Sequence, residues 1–165
     1  MPNNENKETA IIGIGGFKVS KNHNELLATY SLGTCLGMTI YDPAVKVGGM
    51  IHAQLPLSSV NPQKAAENPA MFIDIGVPLL FEKAYALGAQ KKRVIVKIAG
   101  CNFHGEGDQV FKIGERNHIM IRKLLWKNGI FISGEDIGGN LARTMILDIA
   151  TGIVTVKSGG AITQV

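Results

Sequence analysis

The chain has 165 residues, 45% hydrophobic and 18% charged, which excludes a wholly disordered protein and predicts a well-buried core. Its formal charge of +4 is strung along the sequence, with no basic run longer than Lys91-Lys92-Arg93, and aromatics make up only 6%. Neither a nucleic-acid footprint nor a base-stacking platform is expected from that pattern.

Residues 1–9 read as a flexible tail and residues 10–165 as one domain. No secretory leader is read at the N-terminus, and no stretch approaches the roughly 20 apolar residues of a membrane span. Two cysteines, Cys35 and Cys101, suit a reducing cytoplasm better than a disulfide scaffold. Ile11 to Val19 and Leu26 to Ser31 predict short strands around a polar turn, Lys21 to Glu25. Cys35 to Tyr41 predicts a buried strand that breaks at Asp42-Pro43 and returns as Val47 to Leu55, weakened by Gly48-Gly49. Pro56 to Asn68 reads as loop.

From Pro69 to Leu87, apolar residues at spacings of three and four predict a helix capped by Gly88. Pro78 inside it predicts a kink or an earlier end. Arg93 to Ala99 is a β-branched run and predicts a central strand. GCNFHGEGD is too rich in glycine and polar residues for regular structure. Ile113 to Lys127 predicts a second helix, with Ile119, Leu124 and Trp126 among its apolar residues and Asn128-Gly129 at its end. Strands follow at Ile130 to Ser133 and Arg143 to Ile149, and Ala150-Thr151-Gly152 turns into Ile153 to Lys157. Alternating βαβ units are missing from the first third. The order therefore predicts an α+β domain, a layered α/β sandwich with mixed β-sheets flanked by helices, rather than a Rossmann sheet.

The glycine clusters do not make a phosphate cradle. Gly13-Ile14-Gly15-Gly16 has Lys18 where G-x-G-x-x-G needs glycine, and Gly138-Gly139-Asn140 is a turn needing positive φ. Cys101 and His104 have a C-x-x-H spacing, but His23, His52 and His118 supply no second close pair, so neither a zinc site nor a cofactor is expected. Glu135 and Asp136 are adjacent and read as a strand end, not as an acid/base pair. Folding the hairpin about Asp42-Pro43 sets Cys35 opposite His52, with about 4.5–5.5 Å between Cβ atoms. An imidazole there would take the thiol proton and hold a thiolate–imidazolium pair, lowering the cysteine pKa. Spacing leaves two readings open, a nucleophile with its base or a buried cysteine beside a core histidine. Taken alone, it favours the second.

Longer motifs bear on that choice. LGTC followed by YDPAVKVGGMIHAQLP resembles the signature of the CheD family, bacterial chemoreceptor glutamine deamidases. There a Leu-Gly-Ser-Cys turn precedes Tyr-Asp-Pro-x-x-Lys-x-Gly-Gly-x-x-His-x-x-Leu-Pro. KIAGC is similar to the family's Lys-Ile-x-Gly-Gly strand end, IGERN to its Ile-Gly-x-Arg-Asn helix start, and EDIGGNLAR to its Asp-x-Gly-Gly-x-x-x-Arg turn. The matches run in order from about Ile11 to Gly160. Thr34 departs from the usual serine and Cys101 from a glycine.

The resemblance implies the fold of the CheD-like cysteine hydrolases, shared with the cytotoxic necrotising factor toxins. It implies a catalytic triad of Cys35, His52 and Thr29, and hydrolysis of selected glutamine side chains on the cytoplasmic helices of chemoreceptors in chemotaxis. Backbone N–H groups of the turn from Gly33 to Leu36 are the expected oxyanion donors. A rival expectation is an adaptor that works by binding a CheC-type phosphatase or the receptor, which an apolar patch near the Phe103–Phe111 loop would favour. A third is a cysteine hydrolase of other amides or of receptor methyl esters.

Overall fold

The computed structural model describes residues 6–103 and 112–165. Two strands occupy the first apolar run, β1 (Glu8–Ile11) and β2 (Phe17–Ser20). Between them the chain turns at Gly13 to Gly16, where Gly15 takes φ +73° and Gly16 N–H donates to the Gly13 carbonyl at 2.9 Å. The single strand predicted over Ile11 to Val19 is thus divided. Glu8 and Thr9, assigned to the tail from sequence, lie in β1.

β3 (Glu25–Leu32), β4 (Leu36–Asp42) and β5 (Val47–Ala53) come next, followed by a short helix α1 (Pro62–Glu67), the long helix α2 (Ile73–Ala86) and β6 (Ile95–Gly100). Helix α3 (Ile113–Lys127) leads to β7 (Ile132–Ile137), β8 (Arg143–Asp148), β9 (Val154–Ser158) and β10 (Ala161–Gln164). One sheet has the order β1-β3-β8-β9-β10 and the other β2-β5-β4-β6-β7. Each is mixed, with parallel β1–β3 in the first and parallel β6–β7 in the second.

Two apolar clusters define the layers. Leu27, Tyr41, Met50, Met145, Leu147 and Val156 fill the space between the sheets. Leu36, Ile40, Ile51, Leu80, Ile98 and Ile121 pack the other face of the second sheet against α2 and α3. This is the predicted α+β layered sandwich, with both long helices on one outer face.

Helix α2 buries Ile73, Gly76, Val77, Leu80, Phe81 and Ala84, a stripe of three and four spacing. It continues through Pro78 to Ala86 instead of ending early. The proline ring is on the exposed face, where water can satisfy the carbonyl one turn back, and burial of Leu80, Phe81 and Ala84 outweighs the lost bond. The stretch read as loop contains α1, whose N-cap Asn61 accepts from Lys64 N–H at 3.0 Å. Helix α3 has the expected bounds but does not bury all of its apolar residues. Its buried line is Gly114, Asn117, Ile121 and Leu125, while Ile119 and Trp126 are exposed.

Gly114 is where α3 meets the end of β6. A Cβ there would overlap the backbone carbonyl oxygen of Asn102. Alanine gains about 1 kcal/mol in helix propensity, whereas backbone overlap costs more than that unless the strand end moves. Gly114→Ala is therefore expected to lower stability by about 2 kcal/mol. Denaturant unfolding measures this, and an unchanged midpoint would show that the helix and strand end can separate freely.

Candidate active site

Side chains alternate across β4 and β5. Leu36, Met38 and Ile40 join the helix-side cluster with Val47, Ile51 and Ala53, while Tyr41 and Met50 face the first sheet. That alternation turns His52 inward between the sheets, and Cys35, just before β4, packs in the same inter-sheet cluster.

In the ladder, His52 pairs with Gly37 and Asp42 with Val47. The direct Cys35–His52 pairing expected from a hairpin folded about Asp42-Pro43 is not formed. The connection runs from Pro43 to Lys46, with Lys46 at φ +53°, and this moves the partner by two positions. An even displacement keeps the face. Cys35 is thus the diagonal neighbour of His52, and Gly37, directly opposite the ring, puts no side chain between them. The imidazole-bearing strand is also pinned from its other edge. His52 N–H donates to the Gly16 carbonyl at 3.0 Å, and Gly15 N–H donates to the His52 carbonyl at 2.8 Å.

Thr29 arrives from the opposite sheet. A β-bulge sets Tyr30 and Ser31 of β3 between the pairs Thr29–Met145 and Leu32–Arg143, with Ser31 at φ +56°. The extra residue lets both Thr29 and Leu32 point inward. The Thr29 hydroxyl donates to the Ile12 carbonyl oxygen at 2.6 Å and lies 2.7 Å from His52 Nδ1. A hydroxyl has one hydrogen, and a carbonyl only accepts. The hydrogen toward Ile12 leaves Thr29 as acceptor toward the ring, so Nδ1 carries the proton and Nε2 keeps its lone pair. Among the described residues Nε2 is buried without a hydrogen-bond partner.

Burial raises the Cys35 thiol above the ordinary thiol range, its own backbone N–H opposing this, and burial lowers the His52 pKa. Both shifts favour uncharged forms. They disfavour the thiolate–imidazolium pair that spacing suggested, because the inter-sheet layer solvates charge poorly.

The turn carrying Cys35 is held by groups that sequence motifs contained without disclosing their use. Cys101 N–H donates to the Cys35 carbonyl at 2.8 Å, and Asn102 N–H to the Gly33 carbonyl at 2.9 Å. Gly100 takes φ +94°, and a Cβ there would overlap the Cys35 carbonyl oxygen. Arg143, paired with Asp136, donates to the Asn102 side chain, which in turn donates to the Leu141 carbonyl at 3.0 Å. From α3, Asn117 Nδ2 donates to the carbonyls of Thr34 and Gln54, each at 3.0 Å. The IGERN and EDIGGNLAR segments were the signal for Asn117 and Arg143, but spacing could not say what those residues touch.

Cys101 follows Gly100 at φ +50°, a glycine-like conformation that turns its thiol into the helix-side cluster, across the sheet from Cys35. Burial first, then proximity to Cys35, push that thiol up to about 12. Both cysteines are free. Among the described residues no three His, Cys, Asp or Glu side chains gather as a metal site, and His104 lies outside them.

The Thr29 hydroxyl meets the His52 imidazole, and the Cys35 thiol, its diagonal neighbour, lies in the same inter-sheet layer of the α+β sandwich. A thiol, an imidazole and an orienting group are what a cysteine hydrolase requires. Comparison with known proteins is more specific. The family described as CheD chemotactic sensory transduction matches residues 54–158. Over 150 residues the chain is 51% identical to "Probable chemoreceptor glutamine deamidase CheD 1" of Syntrophus aciditrophicus, covering 91% of this chain and 94% of that protein. It is 41% identical to "Probable chemoreceptor glutamine deamidase CheD" of Solibacter usitatus, with 93% and 90% covered. Its identity to the protein of the same name from Pyrococcus horikoshii is 39%, with 88% and 90% covered. The chain belongs to the CheD family.

A neutral resting pair has a direct signature. Alkylation of Cys35 by iodoacetamide is expected to accelerate with pH through and beyond the ordinary thiol range. A rate plateau between about pH 5 and 8, the mark of a preformed thiolate–imidazolium pair, would contradict it.

Proposed function

We propose that this chain deamidates glutamine side chains on the cytoplasmic helices of chemoreceptors, giving glutamate and ammonia, with Cys35 as nucleophile, His52 as base and Thr29 as orienting group. The names of its relatives support the reaction and substrate class. The observation that carries the residue assignment is the buried Nε2 lone pair of an imidazole whose Nδ1–H is already committed to Thr29.

Cys35 Sγ attacks the carboxamide carbon while its proton passes to His52 Nε2. The carbonyl π electrons move onto oxygen, and the tetrahedral oxyanion accepts hydrogen bonds from the turn before β4. Of the expected donors Gly33 to Leu36, Leu36 sits inside the ladders to Ala53 and Gly100. The N–H groups of Gly33, Thr34 and Cys35 make no hydrogen bond to another residue among those described, which favours these three as donors. The imidazolium then gives its proton to the departing nitrogen, and ammonia leaves a thioester. Water, deprotonated by the same Nε2, attacks the thioester; the thiolate leaves and recovers its proton from the ring. Thr29 accepts from Nδ1–H throughout, so the ring neither flips nor changes the nitrogen it presents.

Purified chain mixed with a receptor cytoplasmic fragment is expected to raise the fragment's mass by the difference between a carboxamide and a carboxylate. Cys35→Ala and His52→Ala should abolish the gain. Thr29→Ser, which keeps the hydroxyl, should stay within a few-fold, and Thr29→Val should lose about 10- to 100-fold in kcat. Undiminished conversion by Cys35→Ala would falsify the nucleophile assignment. Conversion of methyl esters or of other amides in preference to glutamine would replace the substrate assignment.

An adaptor role through a CheC-type phosphatase has one observation on its side. Trp126 and Phe131 are 81% and 86% exposed beside a groove of about 750 Å³ that Arg122 and Lys123 also line. Trp126 is about 13 Å along α3 from Asn117, so this face is separate from the thiol. The Phe103–Phe111 loop cannot be weighed in the same way, since residues 104–111 lie outside those described. If Cys35→Ala restores signalling in cells lacking the protein, binding and not hydrolysis is its main work.

A further inference from the structure

Asn117 occupies a position on α3 where an apolar residue would extend the buried line of Ile121 and Leu125, yet it is fully buried and polar. Its two neighbours on the nitrogen side, the carbonyls of Thr34 and Gln54, are both acceptors, so the amide orientation is forced and both Nδ2 hydrogens are used. Among the described residues the Oδ1 atom is buried without a partner. A side chain kept only for packing would not need to bury that oxygen unsatisfied.

The two carbonyls it grips lie on either side of the reacting pair. Thr34 precedes Cys35, and Gln54 follows the end of the strand that carries His52. A trans peptide is planar, and its C=O and N–H point in opposite directions. Holding the Thr34 carbonyl toward α3 therefore aims the Cys35 N–H away from the helix. That N–H makes no other hydrogen bond among the described residues and faces the cysteine's own sulfur. The bond to the carbonyl also polarises the peptide and strengthens the same N–H as a donor.

We propose that Asn117 is a positioning residue that orients the Thr34–Cys35 peptide so that the Cys35 N–H stabilises the oxyanion, while its second hydrogen ties this peptide to the strand of the base. The inference rests on the deamidase reading above. It separates two steps that share one thiol. Alkylation by iodoacetamide needs the sulfur but forms no oxyanion, whereas attack on a carboxamide needs both.

Asn117→Ala and Asn117→Ser are to be compared with the unaltered chain, each first shown to be folded by circular dichroism and thermal unfolding. Three readouts apply: Cys35 alkylation at fixed pH, and kcat and KM for a receptor fragment. The expected result is a kcat lower by at least about 30-fold with KM within about two-fold, and alkylation within about three-fold of the unaltered chain. A folded variant with unchanged kcat overturns the proposal. So does a parallel fall in alkylation and kcat, which would mean that the thiol itself is displaced, and so does failure of both variants to fold, which would make Asn117 structural. No deamidation by the unaltered chain would instead sink the deamidase reading, and the two failures are thereby distinguishable.

Discussion

The single hydrogen of the Thr29 hydroxyl goes to the Ile12 carbonyl, and the chemistry available at His52 follows from that one commitment. With the hydrogen spent, Thr29 can only accept from the ring, and the ring can only present Nε2 as a base. The commitment is itself a product of topology. Ile12 reaches Thr29 because β1 lies parallel beside β3, and Ile12 N–H continues that ladder to the Ala28 carbonyl at 2.8 Å. The bulge at Tyr30 and Ser31 then frees the chain to turn toward Cys35. A short N-terminal strand thus sets a proton position on the neighbouring sheet.

Burial works in the opposite sense to activation. Burial in the inter-sheet layer raises the thiol pKa and lowers that of the imidazole, so both shifts favour the uncharged forms. In the proposed deamidation, charge develops only when a substrate carbonyl arrives, and the N–H groups of the Gly33–Cys35 turn are the donors available to it. A site of this kind gives up the high intrinsic reactivity of a free thiolate. Cys35 is only 9% exposed, which limits the access of other electrophiles to its sulfur. The backbone around it is closely packed. Gly100 and Gly114 are both places where a Cβ would collide with backbone, and both collisions involve the turn that carries Cys35 or the segment that holds it.

Much of this was legible in the sequence, and the exceptions have identifiable physical causes. The β4–β5 hairpin could be read from Asp42-Pro43 and its flanking apolar runs, and an even error in register left the face of His52 unchanged. The division between β1 and β2 was hidden because Ile11 to Val19 remains apolar on either side of its glycine turn. The strand β10 was missed because Ala161 to Gln164 is short and exposed, with no burial pattern to read. Helix α3 was found, but which of its residues are buried was not legible, since the apolar Ile119 and Trp126 fall off the buried line and a polar Asn117 falls on it. Bulges, peptide orientations and the partners of Asn117 and Arg143 depend on contacts between distant segments, which local pattern cannot specify.

The central claim is that His52 is held as the tautomer protonated at Nδ1. Nitrogen NMR of protein carrying isotope-labelled histidine, taken above the pH at which the ring protonates, reads this directly. The account predicts a protonated Nδ1 and an unprotonated Nε2 for His52, with Thr29→Val relaxing that preference. A His52 ring protonated at Nε2 in the unaltered protein would contradict it, because Nε2 would then have no lone pair with which to take the thiol proton in the proposed deamidation.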